Sequence, residues 1–451
     1  MRLTTARNGR SNPAVICFVE VQMSTIKQYL EEHKQEMIDF LGELVAVRSV
    51  QGDAEDGFPF GREPARALEI MLNKCSENGF AVENVENYAG SADLNDLEPQ
   101  LAILSHLDVV PEGTGWTSEP YALKIDGNKL VGRGTIDDKG PAVASLYALK
   151  AVKELGIPLK KGVRLIFGTN EENGSADLAY YRKKRSLPHM VFTPDGEYPV
   201  INGEKGMIRV YFSAPFEDGE IHGGQVINAV PNTCTFSINE GLPDGVRANF
   251  GTVKGISAHA STPEKGENAI TKFLRDCHFN KPLLKSLLKL FPHGETDGKS
   301  CGIFFEDDIS GKTTCVLSML NTENGRLHGG IDIRFPLNCK LFNIQSIMCG
   351  KLRDCGFEID SCEGTEPHYT DGNSEFVQSL LKVYEKVTGR KGLCLTIGGG
   401  TYVHEIEGGV AFGAEFPDED GNMHGADEFI TVENLLKNAE IMAEAIVDIC
   451  K

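Results

Sequence analysis

The stretches LAILSHLDVVP at 101–111, GRGTIDDKGP at 132–141, GTNEENG at 168–174 and TPDGE at 193–197 decide how this chain folds. Each passes from a short apolar segment into groups that can bind a metal. Residues 101–104 lead to His106 and Asp108; Leu130 and Val131 lead through Gly132 and Gly134 to Asp137 and Asp138. Residues 163–167 precede Glu171 and Glu172, and residues 190–192 precede Asp195. The segments 140–155 and 175–185 read as helices, so most of the region is strand, helix, strand. In such units the strands run parallel and their carboxyl ends share one edge, where ligands bind. One histidine and several carboxylates are therefore expected in a single crevice.

In an extended segment residues i and i+2 share a face. His106 and Asp108 can thus be a ligand and the acceptor that orients its ring. The doublets Asp137, Asp138 and Glu171, Glu172 each offer one carboxylate to bind and a second free for other work, which suits metal-assisted hydrolysis with an unligated carboxylate as base. A lone His-x-Asp or acidic doublet is ordinary. Four successive strand ends bearing such groups at one edge would repel one another without a cation.

Those motifs, with TPDGEYP at 193–199 and His424 in NMHGADE, resemble the metallopeptidase family that includes aminoacylases, acetylornithine deacetylases, glutamate carboxypeptidases and di-zinc dipeptidases. NGEKG at 202–206, GGQVINAVPN at 223–232, GISAHASTPEKGENA at 255–269 and IGGGTY at 397–402 resemble its dipeptidase V branch. The resemblance spans roughly 23–451. It implies two zinc ions, with Mn or Co as substitutes, bridged by Asp137, one held by His106 and Asp195 and the other by Glu172 and His424. It further implies that Asp108 orients His106, that Glu171 is the general base and that the Asp137–Asp138 peptide is cis. His259 in SAHAS matches the residue that stabilises the oxyanion, Arg334 in DIRFP the one that binds the substrate carboxylate, and Asn228 a residue near the scissile carbonyl. Gly398, Gly399 and Gly400 lack side chains, which lets backbone N–H groups approach a ligand. Val403 and His404 stand where the branch usually carries an arginine.

With 451 residues, 41% of them hydrophobic, the chain can bury a sizeable core. A formal net charge of −20 argues against nucleic acid as a partner. No apolar run approaches the roughly 18 residues a membrane span needs. The 12 cysteines are scattered without a C-x-x-C pair and read as reduced thiols, which fits a cytoplasmic protein.

Residues 1–22 read as a poorly ordered extension before a helix beginning at Met23, with Ile26, Leu30, Met37, Leu41 and Leu44 at helical spacing. A discontinuous catalytic domain of α/β, zinc-peptidase type, with a central mixed sheet flanked by helices, is expected at 23–206 and 372–451. After Gly206 the pattern changes to strands, helices at 263–275 and 282–290, and a hairpin turning at Asn324 and Gly325. This indicates an inserted α+β lid domain with an antiparallel sheet at 207–371. The reading is a dipeptide hydrolase, monomeric and supplying His259 to its own site, with a homodimer as the alternative. A deacylase acting on N-acyl amino acids would use the same metals, and a non-catalytic binding protein would have lost a ligand or the base. Every expected position is filled.

Overall fold

The computed structural model describes residues 25–242, 245–276 and 280–451; the expected extension at 1–22 and the helix start at Met23 lie outside them. The chain forms two compact units, one of residues up to Asn202 with 370–395 and 401–451, the other of 203–369 with 396–400. The second unit runs over 203–369 where 207–371 was expected, and it also takes in 396–400 with all three glycines of the glycine loop.

The first unit is built on a mixed sheet. Its central strands β1 (Pro99–His106), β2 (Gly162–Gly168) and β3 (Met190–Thr193) run parallel, joined by the short parallel strand Val410–Ala411 beside β3. The hairpin Ala81–Val85 and Ala89–Asp93 extends one side antiparallel, and Val200–Glu204 adds an antiparallel strand on the other. Residues 101–106 are buried on both faces, which explains the unbroken apolar run of 101–104. Helix α1 (Lys139–Glu154) lies inside the unit, with 139–152 buried on every side, and packs against the closing helix α2 (Val432–Cys450). Thr431 caps α2 by accepting the Asn434 N–H at 3.1 Å. The helical spacing at the start of the chain is realised in two pieces, 25–32 and Lys34–Val45, interrupted at His33, with Ile26, Leu30, Met37, Leu41 and Leu44 all buried.

One strand departs from the expected arrangement. Lys129–Val131 is not a strand of the main sheet; it pairs antiparallel with Lys124–Asp126 and with Phe429–Thr431. Asp137 therefore arrives on the turn that enters α1, and the ladder Phe429↔Val131 returns the His424 segment to the same place.

The second unit carries a seven-stranded antiparallel sheet in the order Gly245–Lys254, Thr233–Leu242, Gly219–Gly223, Thr314–Glu323, Arg326–Phe335, Gly206–Pro215, Glu358–Thr365. Ile208, Val210 and Phe212 alternate inward and share a core with Phe273, Leu287 and Met348 of the helices Ala269–Asp276, Pro282–Leu290 and Leu341–Asp354. The hairpin turns as expected: Asn324 and Gly325 have φ of 49° and 74°, the positive pair of a type I′ turn. The single helix expected at 263–275 is instead a 3₁₀ turn Pro263–Lys265 and a separate helix from Ala269. The Asn268 side chain accepts the N–H groups of Ile270 and Thr271 at 2.9 and 3.1 Å, starting the helix afresh. Among the described residues no helix is long and apolar enough to cross a membrane.

Leu146 of α1 is fully buried in the first core. Leu146→Ala is expected to remove about 2–5 kcal/mol of stability, read as a lower denaturant midpoint; an unchanged midpoint would contradict the placement of α1 at the centre of that core.

Candidate active site

At the carboxyl ends of β1, β2 and β3 the first unit gathers His106, Asp137, Asp138, Glu171, Glu172, Asp195 and His424. His106 Nε2 lies 2.9 Å from Asp137 Oδ1 and 3.7 Å from Asp195 Oδ2. His424 Nε2 lies 2.8 Å from Asp137 Oδ2 and 3.2 Å from Glu172 Oε1. Asp137 thus turns one oxygen to each imidazole, and its peptide with Asp138 is cis. His106, Glu171 and Asp195 form one cluster and His106, Asp137 and Glu172 another, each with ligand atoms within 4.8 Å of one another. His106 Nε2 and Glu172 Oε1 are buried and have no aligned hydrogen-bond partner among the described residues. Ligand atoms that converge without hydrogen bonding one another fit a cation between them.

The charges agree with that fit. Burial, then the charge on Asp137, raises the Asp195 pKa to about 7. Burial and Asp137 also raise Glu172, and burial with Asp195 lifts Glu171 well above the usual carboxylate range. Burial works against ionised Asp137, but the flanking His106 and His424 outweigh it and hold its pKa low. Burial likewise opposes protonated His106, yet Asp108 and Asp137 outweigh it and keep the ring charged well above its ordinary range. His424 is raised in the same way by Asp137 and Glu172 against the cost of burial, although half of its side chain faces solvent.

Asp108 and Asp138, the acids beside the ligands, are both engaged with neighbouring backbone. His106 Nδ1 donates to the main-chain carbonyl of Asp108 at 3.0 Å, while the Asp108 carboxylate stands 3.6 Å away. That carboxylate accepts instead from the N–H groups of Glu171 and Glu172, at 3.1 and 3.2 Å. Asp138 is not free for other work: it is buried and accepts the His106 backbone N–H at 2.9 Å, joining the turn of the acidic doublet to the end of β1.

Other buried charges had no motif of their own. Asp177 accepts the N–H groups of Thr169 and Asn170 at 2.6 and 2.8 Å and the Tyr402 hydroxyl. Four consecutive amides, 169–172, are thus held by Asp177 and Asp108. Tyr402 of the glycine loop is buried and meets the His106 ring edge-on at 6.1 Å, so it supports a ligand from behind. Glu428, four residues after His424, accepts the N–H groups of Gly134, Ile136 and Asp137 and pairs with Arg133 at 2.6 Å. Its place in NMHGADE was the available signal; Asp177, in a helical stretch, offered none.

The second unit assembles another group of expected residues. The ladder Ala229↔His259, Val230↔Ala258 sets Asn228 beside the His259 strand, and the Asn228 carbonyl accepts from Ala260 N–H at 2.9 Å. The Ser261 N–H and hydroxyl lie 3.2 and 2.7 Å from His259 Nδ1. Arg334 is buried and forked onto Asp332, with Nε and Nη2 at 2.6 and 2.9 Å from its two oxygens, while Nη1 donates to the Gly398 carbonyl at 2.7 Å. Asp332 lies two residues before Arg334, the same-face spacing of a strand, which the sequence reading passed over. A guanidinium has five N–H donors, so one on each terminal nitrogen is left over from these contacts. A side chain on Gly398 would meet Ser261 Cβ at 2.7 Å, whereas Gly399 has room.

A sheet edge carrying this donor set defines a metal-dependent hydrolase. Residues 102–448 match the Peptidase family M20/M25/M40, and the chain belongs to that family; it is a metallopeptidase. It is 33% identical over 469 residues to the Beta-Ala-Xaa dipeptidase of Lactobacillus delbrueckii subsp. lactis, covering 94% of this chain and 98% of that protein. In fold it is similar to human carnosine dipeptidase 1, with a TM-score of 0.64 and 16% identity over 95% of this chain and 98% of that one. It is also similar to Bacillus subtilis YXEP, described as a dinuclear metal binding peptidase, with a TM-score of 0.55 and 11% identity over 92% of this chain and 98% of that one.

Against the cost of burial, the carboxylates beside His106 and His424 raise the pKa of both rings, which must be neutral to bind metal, so metal competes with protons there. Loading metal-free protein at neutral pH in weak buffer is expected to release protons, and metal affinity is expected to weaken as pH falls. Uptake without proton release would contradict the charge balance described.

Proposed function

We propose that this metallopeptidase hydrolyses the peptide bond of dipeptides with two divalent metal ions. The observation that carries the reading is Asp137, whose two oxygens lie 2.9 Å from His106 and 2.8 Å from His424, so that one carboxylate serves two positions. His106 and Asp195 complete one position, Glu172 and His424 the other. Mixed imidazole and carboxylate donors suit zinc and also accept Mn or Co. The dinuclear description of YXEP supports two ions, and the activity named for the Lactobacillus enzyme supports a dipeptide substrate. Bound there, the ions supply Lewis acidity, bringing the pKa of water from 15.7 toward roughly 7 and polarising the amide carbonyl.

The chain's own groups handle the protons and the charge. Glu171, whose pKa burial and Asp195 raise, takes a proton from the attacking water and delivers it to the leaving amine. Its backbone is fixed by Asp108, so the carboxylate starts from one position. With the Ser261 N–H donated into Nδ1, a neutral His259 carries its proton on Nε2 and donates it to the oxyanion, worth about 3–4 kcal/mol. Asn228 acts beside it near the scissile carbonyl. The remaining donors on the two terminal nitrogens of Arg334 bind the substrate carboxylate end-on, with Asp332 and Gly398 fixing the plane of the fork. Gly399 and Gly400 leave that loop open to the ligand. The second unit acts as the lid that brings these groups to the substrate, in a monomeric, cytoplasmic enzyme.

Glu171→Gln preserves shape and removes the base. It is expected to keep both metals and lose activity by 10²-fold or more, on the order of what general base catalysis contributes. Near-normal turnover with full metal content would rule out Glu171. Asp332→Asn is expected to raise KM for unblocked dipeptides more than it lowers kcat; a change in kcat alone would contradict the role given to Arg334.

A further inference from the structure

We propose that Arg133 and Glu428 form a clasp that holds His424 in place for the metal position it shares with Asp137 and Glu172, and that Trp116 reports on that position. Both are positioning residues, and the inference rests on the assignment of that position under Proposed function.

Glu428 is fully buried. Its Oε1 accepts the N–H groups of Gly134, Ile136 and Asp137 at 2.9, 3.0 and 3.3 Å, so it sets the turn that presents the bridging carboxylate. Its Oε2 accepts from Arg133 Nη1 at 2.6 Å. Arg133 answers in the other direction: its Nη2 lies 3.2 Å from the His424 carbonyl, 3.3 Å from that of Glu112 and 3.4 Å from that of Pro111. The Asp137 turn and the His424 loop, already joined by the Phe429–Val131 ladder, are thus held together by a buried ion pair as well.

The clasp has work to do at His424. That residue has φ of 61°, a left-handed conformation uncommon for a residue with a side chain, and its ring is half exposed, so packing alone does not fix it. Arg133 holds its carbonyl. The same guanidinium lies 5.3 Å from the centre of the Trp116 ring, and the indole N–H donates to the Glu112 carbonyl at 2.6 Å. Asp427 adds a second tie between the two loops, accepting from Thr117 N–H at 2.8 Å. Trp116 is the only tryptophan in the chain. When metal draws on the His424 ring, the shift reaches Arg133 through the carbonyl and Trp116 through the guanidinium over its face. No contact of Trp116 with His106 or Asp195 is present among those described.

The test uses metal-free full-length protein loaded with zinc, reading tryptophan emission and zinc bound per chain by elemental analysis, for the natural sequence and for Arg133→Lys, Glu428→Gln and His424→Ala. Arg133→Lys keeps a positive charge opposite Glu428 but not the fork that reaches three carbonyls. Emission is expected to change on loading the natural protein and to stay constant in His424→Ala. Arg133→Lys is expected to weaken the zinc ion at His424 about 10–100-fold, as loss of an outer partner does, and Glu428→Gln, which also releases the turn of the shared Asp137, to weaken both, with binding restored by excess zinc. Two zinc ions held with natural affinity in both clasp variants would overturn the clasp while leaving the site reading intact. An emission change retained in His424→Ala would overturn it as well, and that comparison decides the matter even if the Arg133 variant fails to fold. No zinc bound by the natural protein would remove the site reading and the clasp with it.

Discussion

The withdrawal from water of several carboxylates that repel one another at one sheet edge is the constraint on which this structure turns. Asp137, Asp138, Glu171, Glu172 and Asp195 meet at one sheet edge, where among the described residues His106 and His424 are the imidazoles that face them. Charges brought together out of water interact far more strongly than they would in it, and burial first, then the charge on Asp137, raises the pKa values of Asp195 and Glu172. Such an edge is tolerable where cations occupy it, and a hydrolase uses the same concentration of charge to make water reactive.

The scaffold is arranged to keep these groups from moving apart. Rather than ring the ligands with side-chain contacts alone, the fold fixes their backbones. Asp108 and Asp177 hold the four amides of 169–172, Asp138 holds the His106 amide, and Glu428 holds the turn of Asp137. Each strut is itself a buried acid that accepts backbone N–H donors, so the same groups that fix the ligands also occupy amides the turns would otherwise leave open. In the second unit Asp332 does the same for Arg334, orienting a planar fork and leaving one donor on each of its terminal nitrogens.

Much of this was legible in the sequence because chemistry there is tied to spacing. His106, Asp137, Glu172, Asp195 and His424 sit in short motifs, and all come together. What escaped is set by tertiary pairing rather than local pattern. Lys129–Val131 reads as one more strand of the main sheet, and only its pairing with Phe429–Thr431 shows why His424 returns to Asp137. The break in the helix expected at 263–275 depends on one Asn268 side chain competing for backbone amides. Asp177 and Tyr402 meet across 225 residues, a contact that no local window contains.

The central claim is that these carboxylates and imidazoles serve hydrolysis of unblocked dipeptides. The most direct measurement is amide hydrolysis by metal-loaded protein on matched substrates: free dipeptides, the same dipeptides N-acetylated, and N-acetyl amino acids, each with and without chelator. Chelator-sensitive cleavage confined to the free dipeptides is the expected result. Cleavage of the N-acetyl amino acids in preference to dipeptides, or turnover that survives complete metal removal, would contradict it.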